Sequence, residues 1–214
     1  MRALAESPIG ARCLGRWAAW LSVAIVLAGC GARVPTLPAL DAKATVLAFG
    51  DSLTFGTGAT GAESYPAQLA RKISRNVVAA GVPGEVSAAG LARLPAALDE
   101  HSPALLILCH GGNDFLQRRD EKEAASNVRA MVKLARDRGI AVMLIATPKP
   151  GFSLSPPDFY AAIAKEFDVP VELNVLKTVI GDNSLKADLV HPNAQGYGVI
   201  ADALATLLKK AKAL

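Results

Sequence analysis

From Lys43 onward, short unbroken apolar runs alternate with longer stretches whose apolar residues recur at helical spacing. No other feature of the chain restricts its fold so tightly. Ala44–Phe49 reads ATVLAF and stops at Gly50; a run with no polar alternation fits a strand covered on both faces. Asn76–Ala80, Ala104–Cys109 and Ile140–Ala146 repeat that pattern, and Val169–Val171 is a short fifth candidate. Between them, Tyr65–Ile73 carries Leu69 and Ile73 on one helical face, and Leu91–Glu100 is helical by spacing. Glu123–Arg138 places Val128, Met131, Val132 and Leu134 on one side; Phe159–Phe167 and Asn193–Lys210 complete the helices. Strands alternating with helices predict one α/β domain, a parallel sheet with helices on both faces.

The first residues do not belong to that pattern. Arg2, Arg12 and Arg16 stand against a single Glu6, and Trp17–Ala28 (WAAWLSVAIVLA) then runs without a charge. Such a run is too short for a spanning helix, which needs about 20 apolar residues. Basic residues followed by a short apolar run and small residues predict an export signal. Its end, Leu27-Ala28-Gly29-Cys30, resembles the lipobox of bacterial lipoproteins, in which the cysteine is acylated and becomes the new N-terminus. The expected division is therefore a signal peptide over 1–29, a lipidated tether over 30–42 and the folded domain over 43–214. Gly31-to-Asp41 (GARVPTLPALD) has two prolines and no periodicity, as a tether would. The expectation is an exported monomer, held to a bacterial membrane through lipidated Cys30 and facing the periplasm; Gly31 after Cys30 points to the outer membrane.

Composition sharpens this reading. With 51% apolar and 20% charged residues the chain is too hydrophobic for disorder. Losing residues 1–29 removes three arginines and one glutamate, which takes the formal charge from +4 to +2, and removes both tryptophans. No basic stripe is left for nucleic acid. Cys13, Cys30 and Cys109 make no C-x-x-C pair, and three histidines (His101, His110, His191) are too few for a His-rich metal site, so no metal and no cofactor are expected.

In parallel sheets, ligands bind beyond the carboxyl ends of the strands. The chemically capable residues fall there: Gly50-Asp51-Ser52-Leu53 after the first strand, Gly81-Val82-Pro83-Gly84 after the second, and Gly111-Gly112-Asn113-Asp114 after the third. Asp188-Leu189-Val190-His191 precedes the last helix. A serine hydroxyl needs a base to take its proton, and His191 is a candidate for that role. Asp188, three residues earlier, can hold the other ring nitrogen from within a turn. Donors for a tetrahedral oxyanion would be the N–H of Ser52, the N–H of Gly84, which has no Cβ in the way, and the side-chain amide of Asn113.

Other features read more plainly. Gly56-Thr57-Gly58-Ala59-Thr60-Gly61 matches G-x-G-x-x-G, but six residues separate it from Phe49 and no helix follows directly, so a rim loop is expected rather than a dinucleotide site. His110 has no evident orienting acid and ranks behind His191 as base. His101 ends a helix and suits its dipole. Cys109, inside ALLILC, reads as a core thiol ahead of an alternative nucleophile. Lys209, Lys210 and Lys212 close the last helix as solvated charges.

Taken together, the four blocks resemble the GDSL esterases, also called SGNH hydrolases, with their thioesterase/lysophospholipase and arylesterase branches. The resemblance runs from AFGDSLTFG to DLVHPNAQGYGVIADAL. It implies a flavodoxin-like three-layer sandwich around a five-stranded parallel sheet, and hydrolysis of carboxylic esters or thioesters without a metal. It maps the nucleophile onto Ser52, the orienter and base onto Asp188 and His191, and oxyanion donors onto Gly84 and Asn113. One departure is Ala79-Ala80-Gly81, where relatives often carry an asparagine. Leu53, Phe55, Phe115 and Leu116 flank the blocks and are candidates for an acyl groove. Aryl or short-chain acyl esters and lysophospholipids are the expected substrates, with polysaccharide O-acetyl esterase, or an inactive lipid-anchored binding module, as alternatives.

Overall fold

The computed structural model describes residues 33–151 and 153–214. The signal peptide over 1–29, Cys13, Cys30 and Gly31 lie outside the described residues. Five parallel strands form one sheet in the order β2-β1-β3-β4-β5: β1 (Thr45–Gly50), β2 (Asn76–Gly81), β3 (Leu105–Cys109), β4 (Ala141–Ile145) and β5 (Val171–Glu172). Helices α1 (Ser52–Phe55), α2 (Tyr65–Ile73), α3 (Ser87–His101), α4 (Gly112–Leu116), α5 (Glu121–Asp137), α6 (Phe159–Phe167), α7 (Val175–Gly181) and α8 (Ala194–Lys210) alternate with them.

The unbroken apolar runs have a direct explanation. Because side chains alternate across a strand, each of the three central strands feeds two cores at once. Val46 and Ala48 of β1, Leu105, Ile107 and Cys109 of β3, and Met143 and Ile145 of β4 pack with α2, α7 and α8. Leu47 and Phe49, Leu106 and Leu108, and Val142 and Leu144 point the other way, against α3, α5 and α6. β2 is a partly exposed edge, and β5 is an edge of only two residues, displaced from the expected Val169–Val171. Val169 is instead buried in the core before that strand starts.

The tether expected over 30–42 is corrected in its described part. Leu37 and Leu40 are buried, and their N–H groups donate to Ala211 O (2.8 Å) and Ala213 O (2.9 Å) beyond α8. The prolines masked this: apolar residues three apart in an extended segment still find the core. Among the described residues, no helix is long and apolar enough to cross a membrane.

Candidate active site

All four sequence blocks arrive at the carboxyl edge of the sheet. Asp51 caps α1: its Oδ1 accepts the Leu53 N–H at 3.0 Å, which turns the chain sharply at the end of β1 and puts Ser52 at the first position of a one-turn helix. The N–H at such a position has no intrahelical acceptor and is free for a ligand. Ser52 itself is nearly buried. Its Oγ lies 3.0 Å from His191 Nε2.

The D-x-x-H spacing folds as a side-chain turn. Asp188 Oδ1 accepts from the backbone N–H of both Val190 and His191, each at 2.8 Å, while Oδ2 lies 2.7 Å from His191 Nδ1. Burial would raise the Asp188 carboxyl, but the His191 ring and the two backbone N–H groups outweigh it and hold it at about 2. A charged carboxylate on Nδ1 fixes the tautomer that leaves Nε2 free to accept a proton. The geometry is that of a base poised on a hydroxyl.

Opposite His191, Gly84 and Asn113 line the same cavity. Pro83 and Gly84 form the centre of a tight turn closed by the Glu85 N–H on Val82 O at 3.2 Å. Gly84 has φ +78°, as the third position of a type II turn demands, and no atom lies within 4 Å of where a Cβ would project. The turn does not use the Gly84 N–H. Asn113 Nδ2 donates to Asp51 Oδ2 and to Glu85 O, both at 3.1 Å, so an oxyanion would share or displace those bonds.

Asp51 is fully buried, and burial pushes its carboxyl up against the lowering influence of His110, the Leu53 N–H and His191. Asp114 is buried too; it accepts the Ser87 N–H and Ser87 Oγ, both at 2.8 Å, and ties the third block to the start of α3. The fully buried phenol of Tyr160 donates to His110 O at 2.6 Å behind the same loop.

The cavity, of about 510 Å³, extends from Ser52 along a mostly apolar wall that includes Leu53, Pro83, Leu116, Leu154, Ile180 and Leu189. Two of the four groove candidates, Leu53 and Leu116, therefore line it, and two do not. Phe55, the last residue of α1, is 57% exposed and lies outside it. Phe115 faces the core, 6.3 Å from the Phe159 ring, because Asn113 and Leu116 take the cavity side of α4. Leu154 and the prolines come from the segment between β4 and α6, and Ile180 from α7, and no motif in either stretch points at the site.

The competing histidine and cysteine are placed elsewhere. His110 is fully buried behind the site, with its ring 5.4 Å from Phe49, and does not line the cavity. Its Nε2 is 3.2 Å from Glu85 Oε2 but out of hydrogen-bond alignment. Cys109 is buried in the core, and burial followed by the Asp51 charge pushes its thiol well up, which suppresses the nucleophilic thiolate. The Gly56–Gly61 segment leads from α1 into the turn before α2, and Tyr197 OH donates to Thr57 O at 2.7 Å, fastening it to α8. Among the described residues, no group of three or more His, Cys, Asp or Glu is arranged to hold a metal ion.

Known proteins share both this sequence pattern and this architecture. Residues 48–199 match the GDSL-like lipase/acylhydrolase family. Esterase TesA of Pseudomonas aeruginosa is 32% identical over 79% of this chain and 89% of its own length. Thioesterase 1/protease 1/lysophospholipase L1 of Escherichia coli is 30% identical over 77% of this chain and 83% of its own. The crystal structure of AlinE4, an SGNH-hydrolase family esterase, superposes with a TM-score of 0.62 at 32% identity, covering 79% of this chain and 96% of that one.

Proposed function

Because the chain belongs to the GDSL-like lipase/acylhydrolase family and hydrolyses carboxylic esters, we propose that Ser52 is its nucleophile, His191 its base and Asp188 the orienter of that base. The observation that carries this reading is the continuous relay from Asp188 Oδ2 to His191 Nδ1 (2.7 Å) and from His191 Nε2 to Ser52 Oγ (3.0 Å). Ser52 Oγ attacks the acyl carbonyl while Nε2 takes its proton. The N–H groups of Ser52 and Gly84 and the amide of Asn113 receive the negative charge that develops on the carbonyl oxygen. His191 then returns the proton to the leaving oxygen or sulfur, and water, deprotonated by the same ring, releases the acid.

For substrate, the apolar wall running from Ser52 favours an acyl chain of several carbons, as in aryl and short-chain acyl esters or lysophospholipids, with thioesters as a further set. A polysaccharide acetyl ester would leave that wall unfilled. An inactive binding module would have no need of the relay. Ser52→Ala is expected to abolish hydrolysis of p-nitrophenyl butyrate and labelling by a fluorophosphonate; wild-type turnover in that variant overturns the assignment.

Upstream, the reading is of a signal peptide over 1–29 and acylation of Cys30, with the mature monomer on the periplasmic side of the outer membrane. The sequence supports it through the basic start, the charge-free Trp17–Ala28 run and Leu27-Ala28-Gly29-Cys30. Since Trp17 and Trp20 lie in the segment removed, the membrane-extracted protein is expected to lack tryptophan emission and to begin with a lipid-modified Cys30 by intact mass. Tryptophan emission from that material rules the processing out.

A further inference from the structure

We propose that Arg93 is a positioning residue for the oxyanion-binding loop: by gripping Glu85 it fixes the Gly84 N–H and the Asn113 amide relative to Ser52. The inference rests on the assignment of those three residues given above. It starts from a fork. Arg93, in the second turn of α3, donates through Nε to Glu85 Oε1 at 2.9 Å and through Nη2 to Glu85 Oε2 at 2.7 Å. The same Nη2 reaches Ala80 O at 3.2 Å and Gly50 O at 3.4 Å. Its guanidinium carbon sits 4.0 Å from the centre of the fully buried Phe49 ring. One planar group thus joins the end of β1, two residues before Ser52, to the end of β2 and to the loop between β2 and α3.

Glu85 is the point at which that grip becomes useful. Its peptide follows Gly84, and its carbonyl oxygen accepts the Asn113 amide. Its side chain is only 7% exposed, and against the cost of burial the Arg93 fork and neighbouring His110 hold its carboxyl at about 2. A buried charge of this kind is tolerated only when paired with good geometry. The loop itself is short, running from Gly81 to Ser87, and its far end is tied down by the Ser87–Asp114 bonds. Glu85 lies two residues before that tie, where a shift of its peptide would move both donors together.

Fixing an oxyanion donor matters for rate in a way that general stability does not, because the charge appears only in the transition state. Only arginine has the shape this requires. A lysine ammonium keeps the charge and most of the stem, but cannot hold both carboxylate oxygens and two carbonyls from one plane.

The test uses the folded enzyme and p-nitrophenyl butyrate. Arg93→Lys is expected to lower kcat about thirtyfold, a fraction of the loss typical for deleting an oxyanion donor, with KM held within about threefold. The Ki of n-butylboronic acid, which forms a tetrahedral adduct on a catalytic serine, is expected to rise by a similar factor; a role in folding alone would not move it. In an Asn113→Ala background, Arg93→Lys is expected to cost less than about threefold more, since both changes act on one donor set. Glu85→Gln breaks the fork from the other side and decides the matter alone if Arg93→Lys fails to fold by calorimetry. The proposal is overturned if the folded variants keep kcat and boronate Ki within about threefold of wild type, or if the Arg93 and Asn113 losses multiply independently. If Ser52→Ala instead retains turnover, the assignment of the site falls rather than the role of Arg93.

Discussion

At the scale of single residues, the Asp188–His191 pair differs from a buried triad in one respect: Asp188 has a side chain 52% exposed, yet three hydrogen bonds meet its carboxylate. Its carboxyl is held at about 2, below the ordinary 3.8, so it stays charged wherever the enzyme is folded and active. The sign follows directly. A depressed carboxyl adds stability above pH 3.8 that fades as the pH falls towards 2, and at this exposure the amount is small. Its weight falls on catalysis: Asp188→Asn is expected to cut kcat by about 10³–10⁴-fold by favouring the wrong tautomer. The acid side of the wild-type pH–rate profile is expected to show one ionisation; a second one between pH 3 and 5 would show that Asp188 titrates there. The side chains proposed for catalysis stand out in the sequence because each sits within two residues of a glycine or inside a turn-forming spacing. Arg93 was not, since nothing in GLARLP distinguishes a structural arginine from a solvated one until Glu85 and two carbonyls are seen around it.

Among the elements, α2 and α6 match their expected spans because both apolar stripe and boundary residues agree. α4 and α7 have no counterpart in the sequence pattern, for different reasons. α4 is a single turn, too short to show an apolar period, and α7 begins inside a stretch that reads as loop after the short fifth strand. α3 starts four residues earlier than its apolar pattern, because Ser87 is held by Asp114 instead of by a hydrophobic neighbour. That helix also carries an inverted propensity rule. Alanine for glycine inside a helix ordinarily gains about 1 kcal/mol. At Gly90, however, a Cβ would lie 2.5 Å from Nε2 and 2.6 Å from Cε1 of His110, whose ring is fully buried against Phe49 and has nowhere to go. Gly90→Ala is therefore expected to destabilise by about 1–3 kcal/mol in urea unfolding. His110→Ala introduced alongside should remove most of that cost; a stabilised Gly90→Ala would contradict the packing.

Across the whole molecule, the sheet divides labour by direction. Its carboxyl edge carries the proposed site, while at its other edge the segment before β1 runs beside the residues that follow α8, through Leu37–Ala211 and Leu40–Ala213 hydrogen bonds. The strand order and the two cores could be read from the runs alone only as far as a parallel sheet; which strand stands at the edge depends on pairings between residues far apart, such as Val46 with Val77 and with Leu105. α8 spans the two edges. It leaves Asn193, just after His191, and its 17 residues put Lys210 about 25 Å away. Both described ends of the domain thus gather at one pole and the proposed site lies at the other. A bead, a reporter protein or a solid support attached at either end meets the enzyme from behind, and leaves an unobstructed approach to Ser52 for substrates too large to diffuse around a blocked face.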